Sequence, residues 1–139
     1  MIDTTTLAVI FAANSFIPAT YVRAYDADTI TVTLACKIDV FCKNIGVRLK
    51  GIDTPELRTK DRCEKKLAVK ARDFVRAELF GKTVQLHNVT RGKYFRLVAD
   101  VKYKDKDLKR ELFKHHYGVP YEGKKKMSVD WCLFLKEHR

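Results

Sequence analysis

Residues 47–56 combine, in ten positions, the chemical groups that a hard cation and a phosphate require. Arg48 lies in an alternating run of apolar and basic residues, which predicts a strand that ends at a glycine. Asp53, Thr54 and Glu56 follow in a single turn. Carboxylate and carbonyl oxygens are the ligands of calcium and magnesium, whereas a guanidinium binds phosphate oxygens in pairs. The spacing therefore predicts a site for a cation and a phosphate at the end of this strand.

A second acidic turn contains Asp26 and Asp28, on either side of Ala27. Aspartates at turns commonly bond nearby backbone amides, so each acidic cluster alone favours a structural role. If the second and third predicted strands pair, the two turns meet, and adjacent carboxylates repel one another unless a cation holds them. Ligands that are all oxygen favour calcium or magnesium over zinc.

Two arginines and several aromatic residues extend the pattern. Arg48 and Arg96 belong to different predicted strands and lie on the polar face of each. Exposed arginines on strands usually only contact solvent, but beside a metal they would stabilise charge that develops in phosphoryl transfer. Lys93 and Tyr94 precede Arg96, and Tyr121 follows a predicted helix. This mixture of basic and aromatic residues suits a stacked base beside a phosphate, and equally the edge of a core.

Hydrophobic periodicity predicts the elements that would position these residues. The predicted strands cover residues 21–25, 29–34, 47–51, 82–89 and 96–103. A helix is predicted over residues 64–80, ended by Gly81, and a second one from Asp105 or Asp107 to His116. A short last helix is predicted near Trp131. Three strands, a helix, two strands and a helix fit an α+β fold, namely a five-stranded Greek-key barrel of the OB type with two to three helices.

Length and charge limit the function classes. A chain of 139 residues is long enough for one compact core and too short for two. The net charge of +11 indicates a polyanionic partner, usually nucleic acid, because each neutralised phosphate releases counterions. A basic surface that only aids solubility is the alternative.

The N-terminal residues 1–19 are predicted to be a packed arm or the remnant of an export signal, and residues 20–139 a single domain. The apolar run 7–13 is far shorter than the roughly 18 residues of a membrane span and lacks a preceding positive charge. No membrane partner is expected. An intracellular or mobile-element-encoded protein is favoured over a secreted or periplasmic one.

The cysteines and histidines show no metal-binding spacing. The four cysteines form no C-x-x-C pair. Cys36 and Cys42 flank a short polar connection and would bridge in an oxidising compartment, whereas free thiols fit the sequence equally well. The four histidines are predicted to be structural or exposed: His87, His115, His116 and His138.

Four motifs together resemble the staphylococcal nuclease (thermonuclease) family over residues 20–121. They are Tyr-Asp-Ala-Asp-Thr at 25–29, Val-Arg-Leu-Lys-Gly-Ile-Asp-Thr-Pro-Glu at 47–56, Ala-x-x-Ala-Arg-x-Phe at 68–74 and Lys-Tyr-Phe-Arg at 93–96. The second motif is highly specific, and the others support it by their order and spacing. The resemblance implies an OB barrel with helices.

The resemblance also implies a monomeric hydrolase that binds one calcium ion and cleaves DNA and RNA, leaving 3′-phosphate and 5′-hydroxyl ends. The implied calcium ligands are Asp28, Asp53 and the Thr54 carbonyl, with Asp26 and Glu56 acting through water. Glu56 would also activate the attacking water, while Arg48 and Arg96 would stabilise the phosphorus centre. Lys93, Tyr94 and Tyr121 would contact the phosphate and nucleotide. The alternative is a catalytically weak or inactive OB-fold module that only binds nucleic acid.

This chain departs from the family pattern at a few positions. The usual Asp-Gly-Asp turn has Ala27 in its centre. If that position requires a positive φ, alanine adds about 1 kcal/mol of strain and displaces Asp28. Gly92 stands where an acid is common, and Phe95 where glycine or phenylalanine occurs.

Overall fold

The computed structural model describes residues 15–125 and 128–138. The strands in this part are β1 (Phe16–Asp26), β2 (Thr29–Leu34), β3 (Ile45–Leu49), β4 (Ile52–Asp53), β5 (Thr83–Arg91), β6 (Leu97–Tyr103), β7 (Lys106–Asp107) and β8 (Val119–Pro120). The helices are α1 (Asp39–Cys42), α2 (Arg62–Leu79), α3 (Leu108–Lys114) and α4 (Trp131–Glu137). None of these helices is long and apolar enough to cross a membrane.

Five strands close into a mixed barrel in the order β3-β2-β1-β5-β6. The neighbours along this order are antiparallel, and a parallel pairing between β3 and β6 closes the circle, with Val47 opposite Leu97 and Leu49 opposite Ala99. Closure leaves no free edge between these strands. The short β7 adds to β6, and β4 pairs with β8 in a separate two-stranded sheet. The predicted α+β class and OB-type barrel are confirmed.

Helix α2 covers the barrel and holds the end of β1. Asp61 caps its N-terminus by accepting bonds from two backbone N–H groups, and its buried residues recur at helical spacing. Near the other end, Arg76 donates two hydrogen bonds to the carbonyl of Ala24, at 3.2 and 3.0 Å. Ala24 lies two residues before Asp26, so α2 fixes the strand end from which the first acidic turn departs.

The structure differs from the sequence prediction at the start of β1. The strand begins at Phe16 rather than residue 21, and Phe16 and Ala19 pair with His87 and Val84 of β5. Residues 16–19 of the predicted arm are therefore part of the barrel. Of these four only Ala19 is buried, so the alternation that predicts strands is missing there. The rest of the arm, up to residue 14, lies outside the described residues.

Helix α1 and two disulfides were not specified by the sequence pattern. Helix α1 has only four residues and lies within the predicted connection 35–46. Cys36 and Cys42 form a disulfide around it, which decides between the two alternatives that the sequence left open. A second disulfide joins Cys63 to Cys132, across a separation of 69 residues. It links the start of α2 to α4.

The histidines have structural contacts within the described residues. His116 and His138 stack with ring centroids 4.3 Å apart, which brings the end of α3 against the end of α4. His115 packs on Phe74 at 4.5 Å. His87 lies 3.1 Å from a side-chain oxygen of its own strand.

The expectation of strain at Ala27 is wrong. Seven non-glycine residues of the described chain have positive φ, and Ala27 is not among them. Its side chain is 1% exposed and belongs to the core. The middle position of this acidic turn therefore accepts an ordinary L-residue and buries its methyl group.

We expect Ala27→Gly to destabilise the protein by about 1 kcal/mol, because it removes a buried methyl group and gives the unfolded chain more freedom. Urea unfolding of both proteins measures this difference in the free energy of unfolding. A glycine variant more stable than the natural chain would show that the position is strained after all.

Candidate active site

The two acidic turns meet beside the β2–β3 hairpin. Thr29, the first residue of β2, lies opposite Arg48 of β3. Asp28 therefore sits at the end of this pair, where its carbonyl accepts a bond from the N–H of Leu49 at 2.8 Å. The Oδ2 atom of Asp28 accepts a second bond, at 3.1 Å, from the N–H of Thr54 in the other turn. Strand pairing and this direct bond together hold the two turns in contact.

Arg48 lies between the two buried acids. Its Nη1 atom donates to the carbonyls of Leu49 and Ile52, both at 2.9 Å, and lies 3.4 Å from Oδ2 of Asp28. Its Nη2 atom lies 3.7 Å from Oδ1 of Asp53. Both aspartates are only 7% exposed. One guanidinium thus partly balances two buried carboxylates and is held in place by the backbone.

Tyr121 covers Arg48 from the side of β8. The pairing of β4 with β8 brings the chain back over the acidic turn, and the N–H of Tyr121 donates to the carbonyl of Gly51 at 3.1 Å. The Arg48 guanidinium carbon lies 5.7 Å from the centre of the Tyr121 ring, within cation–π range. The Tyr121 hydroxyl donates to the carbonyl of Lys124 at 2.7 Å, which holds the following loop near the site.

Arg96 reaches the same place from the position just before β6. Arg48 pairs with Val98 across the parallel β3–β6 ladder, and Arg96 lies two residues before Val98, directly ahead of β6, which begins at Leu97 rather than at residue 96 as predicted. A Cβ atom at Gly46 would lie 3.2 Å from Cγ of Arg96, so this glycine leaves room for the arginine stem. The Nε atom of Arg96 is buried and has no hydrogen-bond acceptor among the described residues.

These residues surround a cleft of about 760 Å³. Seven of the ten residues predicted for the site line it, namely Asp26, Asp28, Arg48, Glu56, Lys93, Arg96 and Tyr121. Asp53 and Thr54 do not line the cleft but are buried next to it, 7% and 2% exposed. Tyr94 is outside the lining and is 84% exposed, on the turn before Arg96.

Several other residues of the cleft were not predicted from the sequence. Thr29 donates its hydroxyl to Oδ1 of Asp28 at 3.1 Å. Lys50 lines the cleft and follows Arg48 by two residues, so strand alternation was a usable signal for it. Lys124 also lines the cleft, but its position depends on the bond from Tyr121, which leaves no local trace in the sequence.

The donor set of this site fits a hard cation. The acids Asp26, Asp28, Asp53 and Glu56 supply only oxygen, and among the described residues no histidine or cysteine lines the cleft. The hydroxyl oxygen of Thr54 is buried without a hydrogen-bond partner in the described chain. Across residues 15–125 and 128–138, no three of the four carboxylates bring oxygens within 4.8 Å of one another. The fit of this site to a cation therefore rests on its oxygen donors, their burial and their negative charge, and not on a tight cluster of carboxylate oxygens.

Comparison with known proteins gives a consistent result. The family model described as staphylococcal nuclease homologue matches residues 46–132. A probable endonuclease of Schizosaccharomyces pombe is 33% identical over 92 residues, which are 61% of this chain and 40% of that protein. Probable endonucleases of Aspergillus fumigatus and Yarrowia lipolytica are 31% and 29% identical over 91 and 86 residues, each 59% of this chain and 31% and 38% of those proteins.

The chain thus spans less than half the length of these curated relatives. The family model nevertheless covers more than half of the chain, including both arginines and the second acidic turn. The resemblance noted from the four sequence motifs is confirmed, and the chain belongs to the staphylococcal nuclease homologue family.

Proposed function

We propose that this chain carries a calcium-dependent nuclease domain that hydrolyses phosphodiester bonds in DNA and RNA and leaves 3′-phosphate and 5′-hydroxyl ends. One observation carries the proposal, namely that acids from two turns and two arginines far apart in sequence meet at one cleft. Family membership and relatives named probable endonucleases support it. We propose that residues 20–139 form one monomeric domain, to which the structure adds the barrel residues 16–19.

The two arginines bind and orient the scissile phosphate. Arg48 lies on β3 and Arg96 directly before the parallel neighbour β6, and both line the same cleft, so their guanidinium groups can approach two oxygens of one phosphate. Their positive charge is fixed before the substrate arrives, which favours the more negative phosphorus centre of the transition state over the ground state. Lys93 and Tyr121 line the same cleft and contact the phosphate and nucleotide next to the cut, with Tyr94 on the adjoining turn.

Glu56 is the general base for the attacking water. Its carboxylate lies at the exposed surface of the cleft, where both water and substrate have access. As a water oxygen bonds to phosphorus, Glu56 accepts the proton. The bond from phosphorus to the 5′ oxygen breaks, this oxygen takes a proton from solvent, and the phosphate stays on the 3′ side.

Asp28, Asp53 and the Thr54 carbonyl would hold the calcium ion directly, with Asp26 and Glu56 acting through water. When bound, calcium supplies positive charge to a phosphate oxygen beside the arginines. Asp28 is oriented for this by the bonds from Thr54 N–H and the Thr29 hydroxyl, and its burial excludes competing solvent.

We expect the protein to cleave single-stranded and duplex DNA in calcium, to stop in excess chelator and to recover when calcium is restored. Calcium should also raise the melting temperature, because it binds the folded state only. Asp28→Asn should lose both effects, whereas Asp105→Asn, at an exposed acid outside the cleft, should keep them. Gel assays and thermal melts in matched buffers measure the two effects.

Cleavage that continues in chelator would contradict the metal dependence. Retained DNA binding without any cleavage by the natural chain would instead favour the catalytically inactive binding module.

A further inference from the structure

The turn between β5 and β6 has an unusual conformation for its sequence. The N–H of Arg96 donates to the carbonyl of Lys93 at 3.1 Å, which closes a four-residue turn. Its two central residues both have positive φ, 56° at Tyr94 and 59° at Phe95. This is the pattern of a type I′ turn, in which both central positions strongly favour asparagine, aspartate and glycine.

Two bulky aromatic residues are disfavoured at these positions because the Cβ atom approaches the following carbonyl. Burial does not offset this cost, since Tyr94 is 84% exposed and Phe95 is 92% exposed. The backbone at the start of the turn also packs closely against β6, because a Cβ at Gly92 would lie 2.8 Å from a methyl carbon of Val98. Backbone strain that no packing contact of the fold offsets is often found at residues that contact a ligand.

The position of the turn indicates what kind of ligand would contact the two aromatic rings. Lys93 and Arg96 flank the two rings, and both line the cleft that holds the phosphate in the proposed function. A flat ring displayed beside a row of cations is the arrangement that binds single-stranded nucleic acid, with bases on the rings and phosphates on the cations. In the proposed function Tyr94 contacts the nucleotide at the cleft, and the ring of Phe95 has no assigned role.

We infer that Phe95 is a base-stacking residue, which binds an unpaired nucleobase adjoining the nucleotide at the cleft. This inference rests on the proposed nuclease function and adds a second base contact to that site. Stacking on a face of the ring requires no hydrogen bonds, so the contact accepts any base and fails where the base is absent.

Phe95→Gly separates this role from a structural one. Glycine adopts a φ of 59° without strain, so the melting temperature should stay unchanged or rise. The affinity for a fluorescent single-stranded oligothymidylate, measured in chelator so that no cleavage occurs, should fall about tenfold. The affinity for an abasic oligonucleotide of the same length should not change.

Two further variants test the ring itself. Phe95→Trp should keep the preference for the base-containing strand, and Phe95→Leu should lose it. Phe80→Leu is the matched control, because Phe80 is 81% exposed and does not line the cleft.

An unchanged affinity of Phe95→Gly for oligothymidylate would overturn the inference, and so would an equal fall for the abasic strand. Either result, with calcium-dependent cleavage intact, leaves the proposed nuclease function in place. Failure of the natural chain to bind either strand would overturn the inference, and the absence of calcium-dependent cleavage as well would overturn both.

Discussion

Arg48→Lys is expected to lower kcat/KM for DNA cleavage about a thousandfold, a loss of about 4 kcal/mol of transition-state stabilisation. The guanidinium is held by the Leu49 and Ile52 carbonyls while its other nitrogen remains directed toward Asp53. A lysine carries the same charge but has a single nitrogen, so it cannot keep these bonds and also bind a phosphate in a paired manner. Steady-state kinetics on a single-stranded oligonucleotide measures the effect.

Arg23→Lys is the control for this variant, because Arg23 is an exposed strand arginine that does not line the cleft. It should leave kcat/KM unchanged. Urea unfolding of the Arg48 variant shows how much of any loss comes from a looser acidic turn. Turnover near that of the natural chain would mean that Arg48 is a structural arginine only.

Glu56→Gln is expected to lower kcat about a thousandfold while DNA binding in chelator stays unchanged. Glutamine has almost the same shape, but its amide cannot take the proton of the attacking water, and positioned bases typically contribute about a hundred- to ten-thousandfold. Single-turnover cleavage with enzyme in excess isolates this step from product release.

Glu122→Gln provides a control within the same cleft, since Glu122 also lines it. Both variants remove one negative charge from the cleft, but only Glu56 acts as a base in the proposed reaction. An equal loss in the two variants would show that the charge of the cleft, rather than proton transfer, governs the rate.

The sequence predicted the local parts of this molecule well. Strand β2 covers residues 29–34 as expected, because its threonines alternate strictly with apolar residues, of which Ile30 and Val32 are buried. The grouping of Arg48 with Asp53 follows from a spacing of a few residues, which the chain cannot stretch. Contacts between residues far apart in the sequence were harder to predict. Nothing in the alternation of β3 indicates that β6 is its second neighbour, or that Cys63 meets Cys132.

Ala27 illustrates how a family pattern can mislead. A glycine that is usual at one position is easily taken as a need for positive φ. The φ angle is a property of the backbone, however, and a glycine can also occur where a methyl group is merely optional. Here the methyl group is buried in the core, so the alanine contributes to packing.

The parallel pairing of β3 with β6 has a consequence for folding. The acidic turns and Arg48 come together through the β2–β3 hairpin, whose strands are close in sequence. Arg96 joins them only when β6 completes the barrel, and Val47 and Leu97 are about fifty residues apart, so this contact carries a high loop-closure cost. The two halves of the proposed site are therefore expected to form at early and late stages of folding, and an intermediate with an open barrel would contain only one of them. If the proposed function holds, we expect such an intermediate to bind the proposed cation and not to cleave nucleic acid.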